Sequence, residues 1–177
     1  MRHTFAITMT IVSVLLVAAM SGTTHSPGLR AETERVGVYD SRAIAIAYAA
    51  SDFNPVREKM KAYEAAKKAG DQATVRELDS WGQSHQRQLH RQGFGRVPVT
   101  DLLEHIKDRL PELAGRLGVQ AIVFECTYAG PEVETVDVTL ELVKLYNPSE
   151  KTMTTVREVM KQKPVDLEEI EREGQVH

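Results

Sequence analysis

The chain has 177 residues, a formal net charge of −3 and one cysteine, Cys126. A single thiol excludes an internal disulfide, and the roughly 150 residues that follow the N-terminal segment can bury a core without such staples. The near balance of charge hides an uneven distribution, with nine Lys/Arg against five Asp/Glu between Asn54 and Arg96, but six against eleven from Pro131 onward. A basic middle of this kind suits acidic or amphipathic partners.

Met1, Arg2 and His3 open the chain, an apolar run follows from Phe5 to Met20, and Ser21 to Thr24 are small and polar. That order is expected of a secretory signal peptide, placed at residues 1–22, and implies export to the periplasm. The run lies close to the ~17-residue lower limit of a membrane span, so an uncleaved N-terminal anchor is the alternative. Residues 23–34, with Ser26, Pro27 and Gly28, read as a flexible leader.

Val36 to Asp40 is a strand candidate with Val36 and Val38 on one face, and Ser41 is expected to cap a short helix through Tyr48. Asn54 and Pro55 suit a helix start, Gly70 breaks that helix, and Asp71 caps a second one running to about Gln92. Val56, Met60 and Tyr63 on the first, and Val75, Leu78 and Leu89 on the second, form thin stripes of the kind that join an antiparallel helical pair. Gly93, Gly95 and Pro98 end this hairpin, placed at residues 54–92. Thr100 is expected to cap a periodic helix of Leu102, Leu103, Ile106, Leu110, Leu113 and Leu117, with a break near Arg109 because Pro111 lies within it. Val119 to Glu125 reads as a strand buried on both faces, with Cys126 a buried, inert thiol beside it. Gly130 and Pro131 make a turn, Val136 to Val138 form a short strand, and Thr139 caps a helix ending at Asn147 and Pro148. Residues 149–177 read as a polar, acidic tail containing a short helix over Thr154 to Met160. The expected fold is α+β: a small β-containing oligomerisation body with a protruding antiparallel helical hairpin. Strands so few and apolar are expected to need a partner subunit.

No nucleophile elbow, zincin helix or phosphate-binding loop occurs. His85 and His90 are five residues apart and lack further ligands at standard spacing, so no metal is expected there. Asp40 and Asp137 suit helix entry and turns better than paired acid–base chemistry. The chain is accordingly read as no enzyme, without a cofactor and without a nucleic-acid partner.

Three stretches together resemble the Skp/OmpH family of periplasmic chaperones. They are the opening strand Val36–Asp40 with its small helix, the charged helical middle, and the module from Leu117 through Val123-Phe124, Thr127-Tyr128, Val136-Asp137-Val138-Thr139 to Leu142–Pro148. The resemblance places a family domain at residues 35–148. It implies a homotrimer joined through strands at Val36, Val38, Ile122, Phe124, Val136 and Val138. It also implies that helical arms hold unfolded outer-membrane proteins without ATP. Val56, Met60, Tyr63, Val75, Leu78 and Trp81 are the candidate client contacts, with Trp81 the one expected to be most exposed. The basic hairpin is also suited to touch a membrane surface. The alternative is a structural or adaptor protein of the envelope that reuses the trimeric body to dock one folded partner.

Overall fold

A computed structural model describes residues 33–174. The expected signal peptide and most of the leader lie outside the described residues. The described part combines three strands and eight α-helices. In chain order these are β1 (Glu34–Val38), α1 (Ser41–Ala49), α2 (Val56–Ala69), α3 (Gln72–Phe94), α4 (Thr100–Leu103), α5 (Leu110–Leu117), β2 (Ala121–Val123), β3 (Val133–Asp137), α6 (Thr139–Lys144), α7 (Glu150–Lys161) and α8 (Leu167–Gly174). The mixture is of the α+β kind expected.

The sheet has the order β2-β1-β3 and is parallel throughout. β1 is central because it is flanked on both sides, Val36 pairing with Ala121 and Thr135, Gly37 with Ile122 and Val136, and Val38 with Val123 and Asp137. Pleating then sorts the side chains. Gly37, Ile122 and Val136 share the side that meets the core, where Tyr39 is buried. Val36 and Val38 take the opposite side and are half-buried. A β-carbon at Gly37 would lie 3.0 Å from both γ-methyls of Val138, so only glycine lets the strand approach α6 this closely.

The core gathers Ala43, Ile44 and Ala47 of α1, Val99, Leu102, Ile106, Leu113, Leu142, Val143 and Tyr146, together with Met153 and Val156 of α7. Tyr146 donates to the Leu102 carbonyl at 2.8 Å, so its hydroxyl enters the core satisfied. α1 is the hub, packing against α3, α6 and α7. Its N-cap is Asp40 rather than Ser41, because the carboxylate accepts from the Arg42 N–H at 3.0 Å while Ser41 turns inward and is fully buried. The Arg42 guanidinium, 4% exposed, pairs with Asp40 at 2.6 Å and donates to the Gln162 carbonyl at 3.0 Å. This clamp fixes the end of α7 against the start of α1.

The segment read as an acidic tail is therefore corrected over its described length. α7 contributes core side chains and α8 packs on α3, where Leu167 and Ile170 close over Gly95. Other boundaries also shift. Val99 and Val138, not Thr100 and Thr139, occupy the N-cap positions of α4 and α6. The chain before Pro111 turns into a 3₁₀ stretch, Glu104–Arg109, and α5 restarts with proline in its first turn, where the missing N–H costs no hydrogen bond. The second strand is only three residues long and half exposed, because Val119 still caps α5 through the Ala114 carbonyl and Phe124 leaves the ladder for Tyr39. Cys126 follows in the loop, half-buried and donating to the Tyr128 carbonyl, rather than fully enclosed.

Candidate functional site

α2 and α3 are joined by Gly70 and Asp71. Gly70 sits at φ 72°, a left-handed conformation that L side chains seldom adopt, and its N–H closes the last turn of α2. The Asp71 carboxylate accepts from the N–H groups of Ala73 and Thr74 and so starts α3, as the sequence led one to expect. The Thr74 hydroxyl, which donates to the carboxylate at 2.7 Å, and then these backbone N–H groups hold the Asp71 carboxyl below its ordinary value. At the other end Asn54 closes the entry to α2, accepting from the Val56 N–H at 3.3 Å and donating to the Ala49 carbonyl at 2.9 Å.

An open groove of about 910 Å³ runs between α1, α2, α3 and α7. Ala45, Ile46 and Ala49 supply one side, Val56, Met60 and Tyr63 a second, Leu78, Trp81, Leu89 and Phe94 a third, and Val159 with Thr155 the fourth. Its size and apolar lining fall within the range of small-molecule and cofactor clefts. Five of the six candidate client contacts line it, namely Val56, Met60, Tyr63, Leu78 and Trp81. Val75 is half-buried nearer the turn and is not part of the lining. Val56 and Met60 are 38% and 54% exposed, so two unbranched or small apolar groups face solvent on α2. Gly82 lies on the α3 wall, and a β-carbon there would meet nothing within 4 Å.

Trp81 is not the most exposed of the set. Its indole stacks on His85, with centroids 4.8 Å apart and planes inclined by 16°, and Lys59 Nζ sits 5.4 Å from the ring centroid. His85 Nε2 lies 3.0 Å from Asn54 Oδ1. Since the Asn54 amide nitrogen is engaged by Ala49, Oδ1 is the acceptor and Nε2 carries the proton. Burial holds the His85 imidazole below its ordinary value, favouring the neutral ring. The His85–Asn54 hydrogen bond and the Lys59–Trp81 contact thus tie α2 and its root to the middle of α3, while the Trp81–His85 stack lies within α3. His90 meets Phe94 edge-on rather than pairing with His85, and among the described residues no group of three metal-ligating side chains occurs.

The six residues assigned to subunit contacts divide between the two sides of the sheet. Val138 is 1% exposed and belongs to the core, while Ile122, Phe124 and Val136 pack against that core from the sheet. Their burial is spent within the chain itself, which corrects the assignment of Val138. Val36 and Val38 alone of the six lie on the far side of the sheet, with Val123 and Val133 beside them in register.

The α1 and α7 walls of the groove did not emerge from the sequence. For α7 a signal exists: Met153, Val156, Val159 and Met160 recur at helical spacing within the segment read as tail. Among the described residues no helix is long and apolar enough to cross a membrane. Comparison with protein-family models, curated proteins and solved structures found no match to this chain.

Proposed function

We propose that this protein is an exported, non-enzymatic holding chaperone of the Skp/OmpH type, binding segments of unfolded outer-membrane proteins in the periplasm without ATP. The observation that carries the reading is the open groove with exposed Val56 and Met60 on its α2 wall. A holding protein needs apolar contact without a rigid, shape-selective pocket, and methionine supplies it because the side chain is flexible and polarizable. Self-association belongs to the same reading. Purely parallel sheets are normally covered on both faces, and the side bearing Val36, Val38, Val123 and Val133 is only half-buried in one protomer, which suits a closed cyclic assembly such as a trimer.

The test is aggregation of a denatured outer-membrane barrel, followed by light scattering with and without the purified protein and with no nucleotide. Suppression at a few-fold molar excess is expected, and its absence at large excess would reject the reading. Light scattering after gel filtration gives the assembly: a multiple of three protomer masses is expected, and a monomer would remove the oligomeric part.

The adaptor reading is favoured by one dimension. α2 has 14 residues and is about 21 Å long at 1.5 Å per residue, so an arm of this kind encloses little volume. A stoichiometric folded partner bound in the groove, with no effect on barrel aggregation, would establish it instead.

A further inference from the structure

Two lysines of α2 stand over two of the aromatic rings of the groove, Lys59 within the lining and Lys67 beside it. Lys59 Nζ is 5.4 Å from the Trp81 centroid and Lys67 Nζ is 5.3 Å from that of Tyr63. The ion pairs among the described residues use other cations, so neither ammonium has a carboxylate of the described residues within pairing distance. A ring face attracts a cation but accepts none of its charge-assisted hydrogen bonds, and those donors are still available. Of the two acidic side chains lining the groove, Glu158 is already paired with Lys161 at 2.8 Å, which leaves Asp79. The α2 side of the groove is thus a positive lip over an aromatic and aliphatic floor.

The spacing is informative. Lys59 and Lys67 are eight residues apart on one helix, about 12 Å along its axis. An extended chain covers that distance in about four residues, and residues i and i+4 of such a chain point to the same face, with i+1 and i+3 on the other. We propose that the groove selects acidic, apolar segments of unfolded polypeptide. Two carboxylates four residues apart meet Lys59 and Lys67, and the apolar side chains between them enter against Trp81 and Tyr63. The inference rests on the holding function proposed above and adds the chemistry of the segment held.

Trp81 is the only tryptophan in the chain, so its emission reports occupancy directly. The purified protein is titrated with three dodecapeptides that carry Asp-Phe-Ser-Leu-Asp, Gln-Phe-Ser-Leu-Gln or Lys-Phe-Ser-Leu-Lys at the centre. The acidic peptide is expected to bind about tenfold tighter than the neutral one, two partly exposed ion pairs being worth about that much, with the gap narrowing as salt is raised. The double variant Lys59→Gln/Lys67→Gln should bring the acidic peptide down to the neutral one. Lys61→Gln/Lys68→Gln makes the same charge change on a part of α2 that faces a separate shallow depression, and should leave the affinity within about twofold. Circular dichroism checks that both variants stay folded. Equal binding of all three peptides, with barrel aggregation still suppressed, overturns the selectivity and leaves the holding function standing. An equal loss in the Lys61/Lys68 variant also overturns it, since attraction would then be a property of the whole helix. Displacement of the acidic peptide by dodecanoate at lower concentration would make the groove an amphiphile site and overturn it as well. Failure of every peptide together with no suppression of aggregation rejects the holding function itself.

Discussion

Val156→Ala is the sharpest test of how the C-terminal part of the chain is used. Val156 is fully buried in α7, within the core that α1 organises. The substitution removes two carbons, each worth about 0.8 kcal/mol of transfer free energy. The surrounding helices relax only in part, and a residual void of about 40 Å³ adds roughly 1 kcal/mol at 24 cal/mol per Å³. Together these predict a loss of about 2–3 kcal/mol. For a unit of this size the loss corresponds to a fall in melting temperature of roughly 6–10 °C. Thermal and urea unfolding followed by circular dichroism measure both quantities on the same sample. Because α7 also walls the groove, the variant should lose peptide-induced change in Trp81 emission near its own melting range, before the wild type does. A shift of about 1 °C or less would refute the reasoning, since a surface substitution on a solvated tail changes stability by no more than about 0.5 kcal/mol.

Gly37→Ala should cost about 1–3 kcal/mol through overpacking against the Val138 methyls; adding Val138→Ala should return part of that loss, and strict additivity in the double-mutant cycle would show that the two sites do not touch. Tyr146→Phe leaves the buried Leu102 carbonyl without its donor and should destabilise by about 1–3 kcal/mol in urea unfolding, whereas no change would mean that water replaces the hydroxyl. Burial lowers the His85 pKa from its ordinary 6.5, so the unfolded chain takes up the proton first. The associated stability is whole above that value and is lost as pH falls through it towards the depressed one. His85→Gln should flatten the loss of stability as pH falls below 6.5, and superposable pH profiles for variant and wild type would count against this role of the ring.

Much of the helical order was legible because it is set locally. Gly70 and Asp71 announce the end of one helix and the start of the next, Pro111 announces the interruption before α5, and both are decided within a turn of the residue concerned. The candidate contacts on α2 and α3 were found from helical spacing, and five of them line one groove. Three other features were hidden for physical reasons. Asp40, not Ser41, caps α1 because its carboxylate is held in place by Arg42, whose own position depends on α7. The strands around Ile122 and Val136 look like interface material, yet their apolar side faces the chain's own helices. The segment after Glu150 is polar on average, so its composition reads as tail although its apolar residues fall on one stripe.

The amino-acid sequence by itself determined where α2 ends and α3 begins, that strands are short and few, and that the middle of the chain is a basic pair of helices with apolar stripes. Those properties follow from backbone sterics, capping hydrogen bonds and side-chain periodicity, all of which act over a few residues. Only the tertiary structure decided that the sheet is parallel around β1, which joins Val36 to residues 121 and 135 far along the chain. It also decided that α7 and α8 complete the body and that α1 and α7 close two sides of the groove. Those outcomes depend on which apolar surfaces bury one another across long separations. Such burial is non-directional and roughly proportional to area, so no local pattern specifies its partner.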